Sequence, residues 1–378
     1  YHLDISVIVR VVFNFAHGHG DYKVGKNDCK YKNIFSYFYG VKRVKKHVVM
    51  RKTYKIGILG AGRIARKMAA TLHGMDGVEA YAVASRSIDR AAAFARDNGV
   101  SRAYGSYDEL AADPMVDLVY VATPHAMHYE HARLCIGHGR PVLCEKAFTA
   151  NAAQAEELLG MARERGVFVT EAIWTRYMPF SKTVSHLVGD GSIGTPMTLM
   201  ASLCYPVAHK ERIMRPELGG GALLDLGVYA LNFAYMAFGT DVVKVDSSCV
   251  KTPTGVDAQD SITLTYADGR MAVLQANIHC AGPRHGVICG DRGYIVVDNI
   301  NNPQRACVYD ADHRLRRTLV CPPQITGYEY EVIESLKAIG RGDVECADMP
   351  HAETLRVMCA MDSLRREWGV SFPADCWR

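Results

Sequence analysis

The chain has no Cys-x-x-Cys pair and no Cys/His cluster at zinc-ligand spacing, although it carries 12 cysteines in 378 residues. Neither a structural metal site nor a disulfide framework is indicated, and no metal is expected. Scattered thiols of this kind fit a reducing, cytoplasmic setting. Near the start of the chain a long hydrophobic run is also missing. The longest apolar stretch near the start, Ile5 to Ala16, is interrupted by Arg10, and it falls short of the roughly 20 residues that span a bilayer. It lacks the basic segment and small-residue cleavage site of a secretory signal. No strong charge of one sign is present either. Of the formal net charge of +4, residues 1–49, with nine Lys/Arg and three Asp, carry +6 and the remainder −2. Partners such as nucleic acid or an anionic membrane are therefore not expected. Internal repeats, low-complexity tracts and Ser/Pro linkers are absent as well.

What is present is enough apolar residue, 49% of the chain, to build more than one core, since single cores stop growing near roughly 250 to 300 residues. Residues 1–49 mix aromatics and lysines without helical or strand period, as in Lys30-Tyr31-Lys32, and are expected to form an unstructured extension. The first methionine is Met50, where translation is expected to begin. From Lys55 short apolar runs alternate with helical stretches: a strand to Gly60, a helix to about His73, a strand Val78–Ser85, a helix Asp89–Asp97, strands Val116–Ala122 and Val142–Glu145, and a helix Ala152–Arg165. That alternation predicts a doubly wound parallel sheet over residues 50–171.

Near residue 172 the pattern changes to longer strands of alternating polarity, such as Ser261 to Tyr266, then Asp268-Gly269, then Met271 to Ala276. Asp-Gly between such runs is a hairpin signal. Residues 172–378 are thus expected to form an α+β domain with an open, mostly antiparallel sheet, backed by helices after Gly219-Gly220-Gly221 and over Glu353–Trp368.

Gly60-Ala61-Gly62-Arg63-Ile64-Ala65 is a G-x-G-x-x-A motif set between a strand and a helix, the context of a dinucleotide-binding turn of the Rossmann type. Gly60 permits the tight turn, Gly62 lets backbone approach a pyrophosphate, and Ala65 keeps the helix against the sheet. The free N–H groups at the helix start then face the phosphates. At the end of the second strand an NAD-selective site usually places a carboxylate on the ribose 2′-hydroxyl. Here stand Ser85 and Arg86, which can hydrogen-bond a 2′-phosphate instead. NADP is expected, with NAD possible but weaker.

Together with this turn, Ala122-Thr123-Pro124-His125, Glu145-Lys146 and Gly219-Gly220-Gly221 followed by Asp225 and Tyr229 make the chain resemble the Gfo/Idh/MocA oxidoreductases from about Lys55 to Pro373. Glu171-Ala172-Ile173-Trp174-Thr175-Arg176-Tyr177 is most similar to the branch of dihydrodiol dehydrogenases and NADP-dependent D-xylose dehydrogenases. The resemblance implies catalytic roles for Lys146 and Tyr229, a substrate pocket lined by Trp174, Arg176 and Tyr177, cofactor contacts from Thr123, Pro124, His125, Glu145 and Lys146, and a homodimer through the open sheet face. Ala147 departs from the family's usual Glu-Lys-Pro.

The chemistry supports the same residues. Oxidising an alcohol needs a base for the hydroxyl proton as hydride leaves. A free tyrosine, with pKa about 10, is a poor base near neutrality, and a nearby lysine ammonium would lower that value. Asp225, four residues before Tyr229, would share its helical face and orient the lysine or a substrate hydroxyl; a helix N-cap or first-turn carboxylate is its equally good alternative. Trp174 could equally pack a domain interface. His125, His128 and His131, spaced by three, fan around a helix and do not converge on one ion. The expected activity is hydride transfer between nicotinamide and a hydroxyl-bearing carbon of a sugar, polyol or trans-dihydrodiol. Its rivals are a sugar-to-sugar oxidoreductase with tightly bound NADP and a non-catalytic NADP-binding sensor.

Overall fold

A computed structural model describes residues 52–376; the expected extension 1–49 lies outside them. Six parallel strands form the first sheet: β1 (Tyr54–Leu59), β2 (Val78–Ala84), β3 (Arg102–Tyr104), β4 (Leu118–Val121), β5 (Val142–Glu145) and β6 (Val169–Ala172). Their order is β3-β2-β1-β4-β5-β6. The order reverses between β1 and β4, and in open α/β sheets ligands bind beyond the strand ends at such a switch point. Ile56, Ile58 and Leu59 of β1 and all of β4 are buried, as expected for strands covered on both faces. The helices Arg63–His73, Ile88–Asp97 and Ala152–Arg165 follow β1, β2 and β5, and the Ser87 side chain accepts from Arg90 N–H to cap the second of them. The three-residue β3 escaped the sequence reading because its side chains are only partly covered and leave no apolar run.

Eight strands form the second sheet: β7 (Pro196–Cys204), β8 (Val242–Lys251), β9 (Asp257–Tyr266), β10 (Met271–Asn277), β11 (Gly286–Gly290), β12 (Gly293–Val297), β13 (Arg305–Asp310) and β14 (Leu315–Val320). The order is β14-β13-β12-β11-β7-β10-β9-β8. Only β7 and β10 pair in parallel; the other neighbours are antiparallel. The Asp268-Gly269 turn joins β9 to β10 in register Thr265 with Met271, and Gly269 takes φ +87°. Along β10, Ala272, Leu274 and Ala276 are buried while Met271, Val273 and Gln275 are exposed, the alternation of a sheet covered on one face.

The covering element is the stretch after the triple glycine. It opens as a π-helical turn, Leu223–Gly227, and continues as the α-helix Val228–Phe238. The surrounding stretch Pro216–Phe238 is long and apolar enough to cross a membrane, but it is 89% buried in the fold and serves as a core helix. The closing helix, His351–Trp368, is anchored by Arg365, whose side chain is fully buried. Its guanidinium donates to Asp375 Oδ2 and Asp362 Oδ1, both at 2.7 Å, and to the carbonyl of Ala150 at 3.1 Å. Asn151 Nδ2 adds a bond to the carbonyl of Ala374 at 2.9 Å. The end of the described chain is thereby tied to the loop that follows β5.

Candidate active site

The turn after β1 has the geometry a pyrophosphate needs. Gly60 takes φ +103°, and a Cβ there would lie 2.9 Å from the carbonyl of Ala122, so only glycine lets β1 and β4 approach. Gly62 is extended, φ −97° and ψ −170°, and a Cβ there would meet nothing within 4 Å; space is open above it. The helix beginning at Arg63 has no side-chain cap and no acidic residue in its first turn, which leaves its first N–H groups free for an anion. Arg63 is exposed, Ile64 is partly covered and Ala65 is buried against the sheet. At the end of β2 Ser85 is buried and Arg86 exposed, and among the described residues no acidic side chain pairs with Arg86.

Beyond the ends of β4 and β5 a second group converges. Lys146 follows β5, its Nζ donating to the Asp225 carbonyl at 2.6 Å and to Asp225 Oδ1 at 3.4 Å. The same ammonium stands 4.8 Å from the centroid of the Tyr229 ring. Arg212 Nη1 donates to Asp225 Oδ1 at 3.0 Å. Burial alone would raise the Asp225 carboxyl, but Lys146 and Arg212 outweigh it and hold the group well below the usual carboxylate range. Asp225 is not a helix N-cap but does lie as an acidic residue in the first turn, which here is π-helical; such turns recur where a helix must aim a functional side chain. The Tyr229 hydroxyl accepts from Trp174 Nε1 at 3.0 Å, so its own proton is left free to donate.

Lys146 was expected to bring the Tyr229 pKa down. The structure shows the reverse: burial, with Tyr328 and Glu145 adding to it, pushes the phenol well above its ordinary value despite the Trp174 hydrogen bond. The physical reason is that Lys146 caps the ring face rather than the hydroxyl, so its field competes poorly with desolvation. Tyr229 is a protonated donor in this state.

The other residues expected at the site divide. Trp174 reaches it, stacked on Tyr328 with centroids 4.1 Å apart and planes at 12°. Arg176 does not converge on Lys146; its side chain bonds Asn232 Oδ1 at 2.6 Å and Glu353 Oε2 at 2.9 Å. Tyr177 is buried in the core, its hydroxyl donating to the Glu171 carbonyl and meeting Thr170 Oγ1, both at 2.8 Å. Both side chains are thus engaged by groups of the protein itself, away from Lys146. Glu145 is buried too: Tyr120 donates to one oxygen and the Lys146 N–H to the other, at 3.2 Å for the latter. Burial raises its carboxyl against the opposing influence of Tyr120 and Lys146. The bond from Lys146 to Ala147 is cis.

Thr123 and Pro124 carry the chain from β4 to a short 3₁₀ turn starting at His125. His125 Nδ1 lies 2.9 Å from the Gly219 carbonyl; burial, then Arg212 and Lys146, push its pKa down to about 3. A neutral imidazole must donate to a carbonyl, so Nδ1 carries the proton and Nε2 is left as an acceptor. A Cβ on Gly219, which has φ +68°, would lie 2.9 Å from His125 Cβ, which explains one glycine of the triple. His128 spans the carbonyls of Ala147 and Thr123, and His131 meets Thr123 Oγ1. Each thus has its own partner, and among the described residues no group of three or more His, Cys, Asp or Glu could hold a metal.

The sequence reading missed three contributors: Arg212, Tyr328 and Lys67. Lys67 Nζ lies 4.7 Å above the Tyr328 ring and 5.3 Å above Trp174. Its spacing of four from Arg63 was a usable signal, because it puts both cations on one helix face.

A nucleotide turn at the switch point of a parallel sheet, with a tyrosine, a lysine and an aspartate gathered beyond the neighbouring strand ends, defines a pyridine-nucleotide oxidoreductase. Comparison with known proteins gives the family. Residues 54–173 match the model described as "Oxidoreductase family, NAD-binding Rossmann fold", and residues 181–296 match the "GFO/IDH/MocA C-terminal domain". The chain is similar to trans-1,2-dihydrobenzene-1,2-diol dehydrogenase of Xenopus tropicalis, 32% identical over 327 residues covering 84% of this chain and 99% of the relative. It is also similar to scyllo-inositol 2-dehydrogenase (NADP(+)) IolU of Bacillus subtilis (strain 168), 31% identical over 330 residues, 85% and 99% of the two chains. Among solved structures it superposes on KijD10, a 3-ketoreductase from Actinomadura kijaniata in complex with NADP, with a TM-score of 0.77 and 25% identity over 83% of this chain and 98% of that one. The chain belongs to the Gfo/Idh/MocA family and is an NAD(P)-dependent oxidoreductase.

Proposed function

We propose that the protein is an NADP-dependent dehydrogenase or reductase acting on a hydroxyl-bearing carbon of a sugar, polyol or trans-dihydrodiol, with Tyr229 as general acid/base and Lys146 and Asp225 as its supporting pair. The observation that carries this reading is the continuous contact from Trp174 through Tyr229 and Lys146 to Asp225. The nucleotide turn fits the cofactor: the open space above Gly62 and the uncapped N–H groups suit a pyrophosphate, and Ser85 with Arg86 suits a 2′-phosphate. When bound, NADP supplies the hydride acceptor or donor.

The chain's own residues handle the proton. With Trp174 occupying a lone pair, the Tyr229 O–H is free to donate to a substrate oxygen during reduction; in the oxidative direction the phenol must first release its own proton, and the resulting phenolate oxygen then takes the hydroxyl proton. Lys146, fixed by Asp225, sits 4.8 Å from the ring centroid and favours negative charge as it develops on the phenol or on the substrate oxygen. Among the other expected cofactor contacts, Thr123, Pro124 and neutral His125 line the exit from β4, with His125 Nε2 left to accept a hydrogen bond.

The two units of function are read as residues 50–171 for the nucleotide and 172–378 for substrate and dimerisation, in a cytoplasmic enzyme. Support for a homodimer comes from the outward face of the second sheet, where Met200, Val273 and Met271 are 45%, 41% and 42% exposed. Met200 and Val273 are register partners, so the apolar side chains adjoin.

The test is the initial rate of NADPH formation across aldoses, polyols and trans-dihydrodiols, with Tyr229→Phe as the comparison. Removing a general acid/base is expected to lower kcat by about 10²- to 10⁴-fold. Tight NADP binding without turnover on any class would refute the catalytic reading.

A further inference from the structure

Lys146 is held by backbone more closely than by charge. Its Nζ lies 2.6 Å from the Asp225 carbonyl and 3.4 Å from Asp225 Oδ1. In an α-helix each N–H bonds the carbonyl four residues back. Here the Val228 N–H reaches the Leu223 carbonyl, five back, and the Asp225 carbonyl between them accepts from Lys146. The place of the ammonium therefore depends on where the π turn Leu223–Gly227 begins.

That start is fixed from outside the helix. Ala222, ahead of the turn, offers no side-chain cap. Asp257, the first residue of β9, is fully buried, and its Oδ2 accepts the Leu223 N–H at 2.5 Å. The second sheet thus supplies what an N-cap side chain would supply locally. The triple glycine makes room for it. Gly221 takes φ +114°, and a Cβ there would overlap Asp257 Oδ1. A Cβ on Gly220 would overlap the Ile213 carbonyl oxygen, which accepts the Gly221 N–H at 2.8 Å. Ile213 follows directly on Arg212, the second cation on Asp225, so one glycine pair seats both the cap and the arginine segment. Burial and the Asp257 carboxylate push the buried Asp260 carboxyl well above the usual range. The charge of the two acids accordingly rests on Asp257, where it strengthens the bond from Leu223.

We propose that Asp257 is a positioning residue for the oxidoreductase site: by capping the π turn from the second sheet, it places the Asp225 carbonyl and carboxylate and, through them, Lys146 against Tyr229. This rests on the roles assigned to Lys146 and Tyr229 above and adds the group that sets their geometry.

The experiment compares Asp257→Asn, which keeps an oxygen acceptor of the same shape, with Asp257→Leu, which fills the space without one. Three quantities are measured on full-length protein well below its Tm: NADPH affinity, kcat on whichever aldose, polyol or trans-dihydrodiol the wild type oxidises, and trace acetylation of Lys146 by acetic anhydride relative to the exposed Lys52. One bond on a charged group corresponds to about tenfold, so Lys146 labelling is expected to rise roughly tenfold in Asp257→Leu. There kcat is expected to fall by about 100-fold, the scale of misplacing a reacting group by about an ångström, with NADPH affinity unchanged. Asp257→Asn is expected to restore the labelling and most of kcat. A purely structural role would lower Tm but leave Lys146 labelling and kcat per NADPH-binding site at wild-type values, and that result overturns the proposal. Equal damage in both variants does the same. So does loss of NADPH binding in Asp257→Leu and Asp257→Ala alike, which would make the residue a folding determinant. Failure of the oxidoreductase reading shows separately, as wild-type protein that turns over no substrate class while the labelling contrast persists.

Discussion

Replacing Asp225 by asparagine keeps the shape of the residue and removes the one charge shared by Lys146 and Arg212. The Lys146 and Asp225 side chains are 11% and 10% exposed, and that of Arg212 is 35% exposed. Breaking a buried ion pair costs about 3–5 kcal/mol, and solvent screening of the half-open Arg212 argues for the lower figure. A loss of about 3 kcal/mol corresponds to a fall in Tm of roughly 6 °C for a domain of this size. The pH dependence has a definite sign. The folded Asp225 carboxyl is held below its unfolded value of about 3.9, so its stabilisation is complete above that pH and fades as acid protonates the unfolded and then the folded state. Scanning calorimetry of both proteins should therefore show a constant Tm gap from neutral pH down to about pH 4 and a narrowing gap below it. No gap at neutral pH, or one that widens on acidification, would refute the assignment of Asp225 as the counterion of the lysine. The same substitution should separately lower kcat/KM by about 100-fold, the scale of effect seen when one electrostatic support of a reacting centre is removed.

Two further outcomes follow from surface features. Arg86→Ala should raise KM for NADP by roughly 10- to 30-fold, as expected for loss of one exposed charge-assisted phosphate contact, while leaving KM for NAD nearly unchanged and Tm untouched; an equal effect on both cofactors would remove Arg86 from the 2′-phosphate site. Val273→Lys puts a charge beside Met200 on the outward face of the second sheet, and sedimentation should show the homodimer proposed above for the unsubstituted protein and a folded monomer for the variant. A species of unchanged mass would refute the proposed interface.

Local chemistry explains what could be read in advance. Gly60 and Gly62 were legible because a tight turn and an approaching phosphate each exclude a Cβ, and the hairpin at Asp268-Gly269 because its backbone needs a positive φ. Lys146 was legible as a cation at a strand end on the ligand-binding edge of a parallel sheet. Arg212 and Tyr328 were not, since Arg212 sits on a one-turn helix, Glu211–Met214, and Tyr328 just ahead of the helix Glu329–Arg341, and neither position announces in sequence which site it faces. Trp174, Arg176 and Tyr177 show the limit most clearly. They lie together in sequence, yet the short 3₁₀ turn Trp174–Arg176 and its cap Tyr177 send Trp174 to Tyr229, Arg176 to Glu353 and Tyr177 into the core. The π turn around Asp225 was equally hidden, because the same apolar residues suit an α-helix.

The buried Arg365 clamp bears on the order in which the molecule can be completed during synthesis. All six strands of the nucleotide-binding sheet have been made once residue 172 has emerged. The loop after Lys146 gains its remaining supports only when Arg365, Ala374 and Asp375 follow, some two hundred residues later. A nascent chain can thus hold a nucleotide-shaped turn well before the loop beyond Lys146 has the bonds that Arg365, Ala374 and Asp375 bring to it.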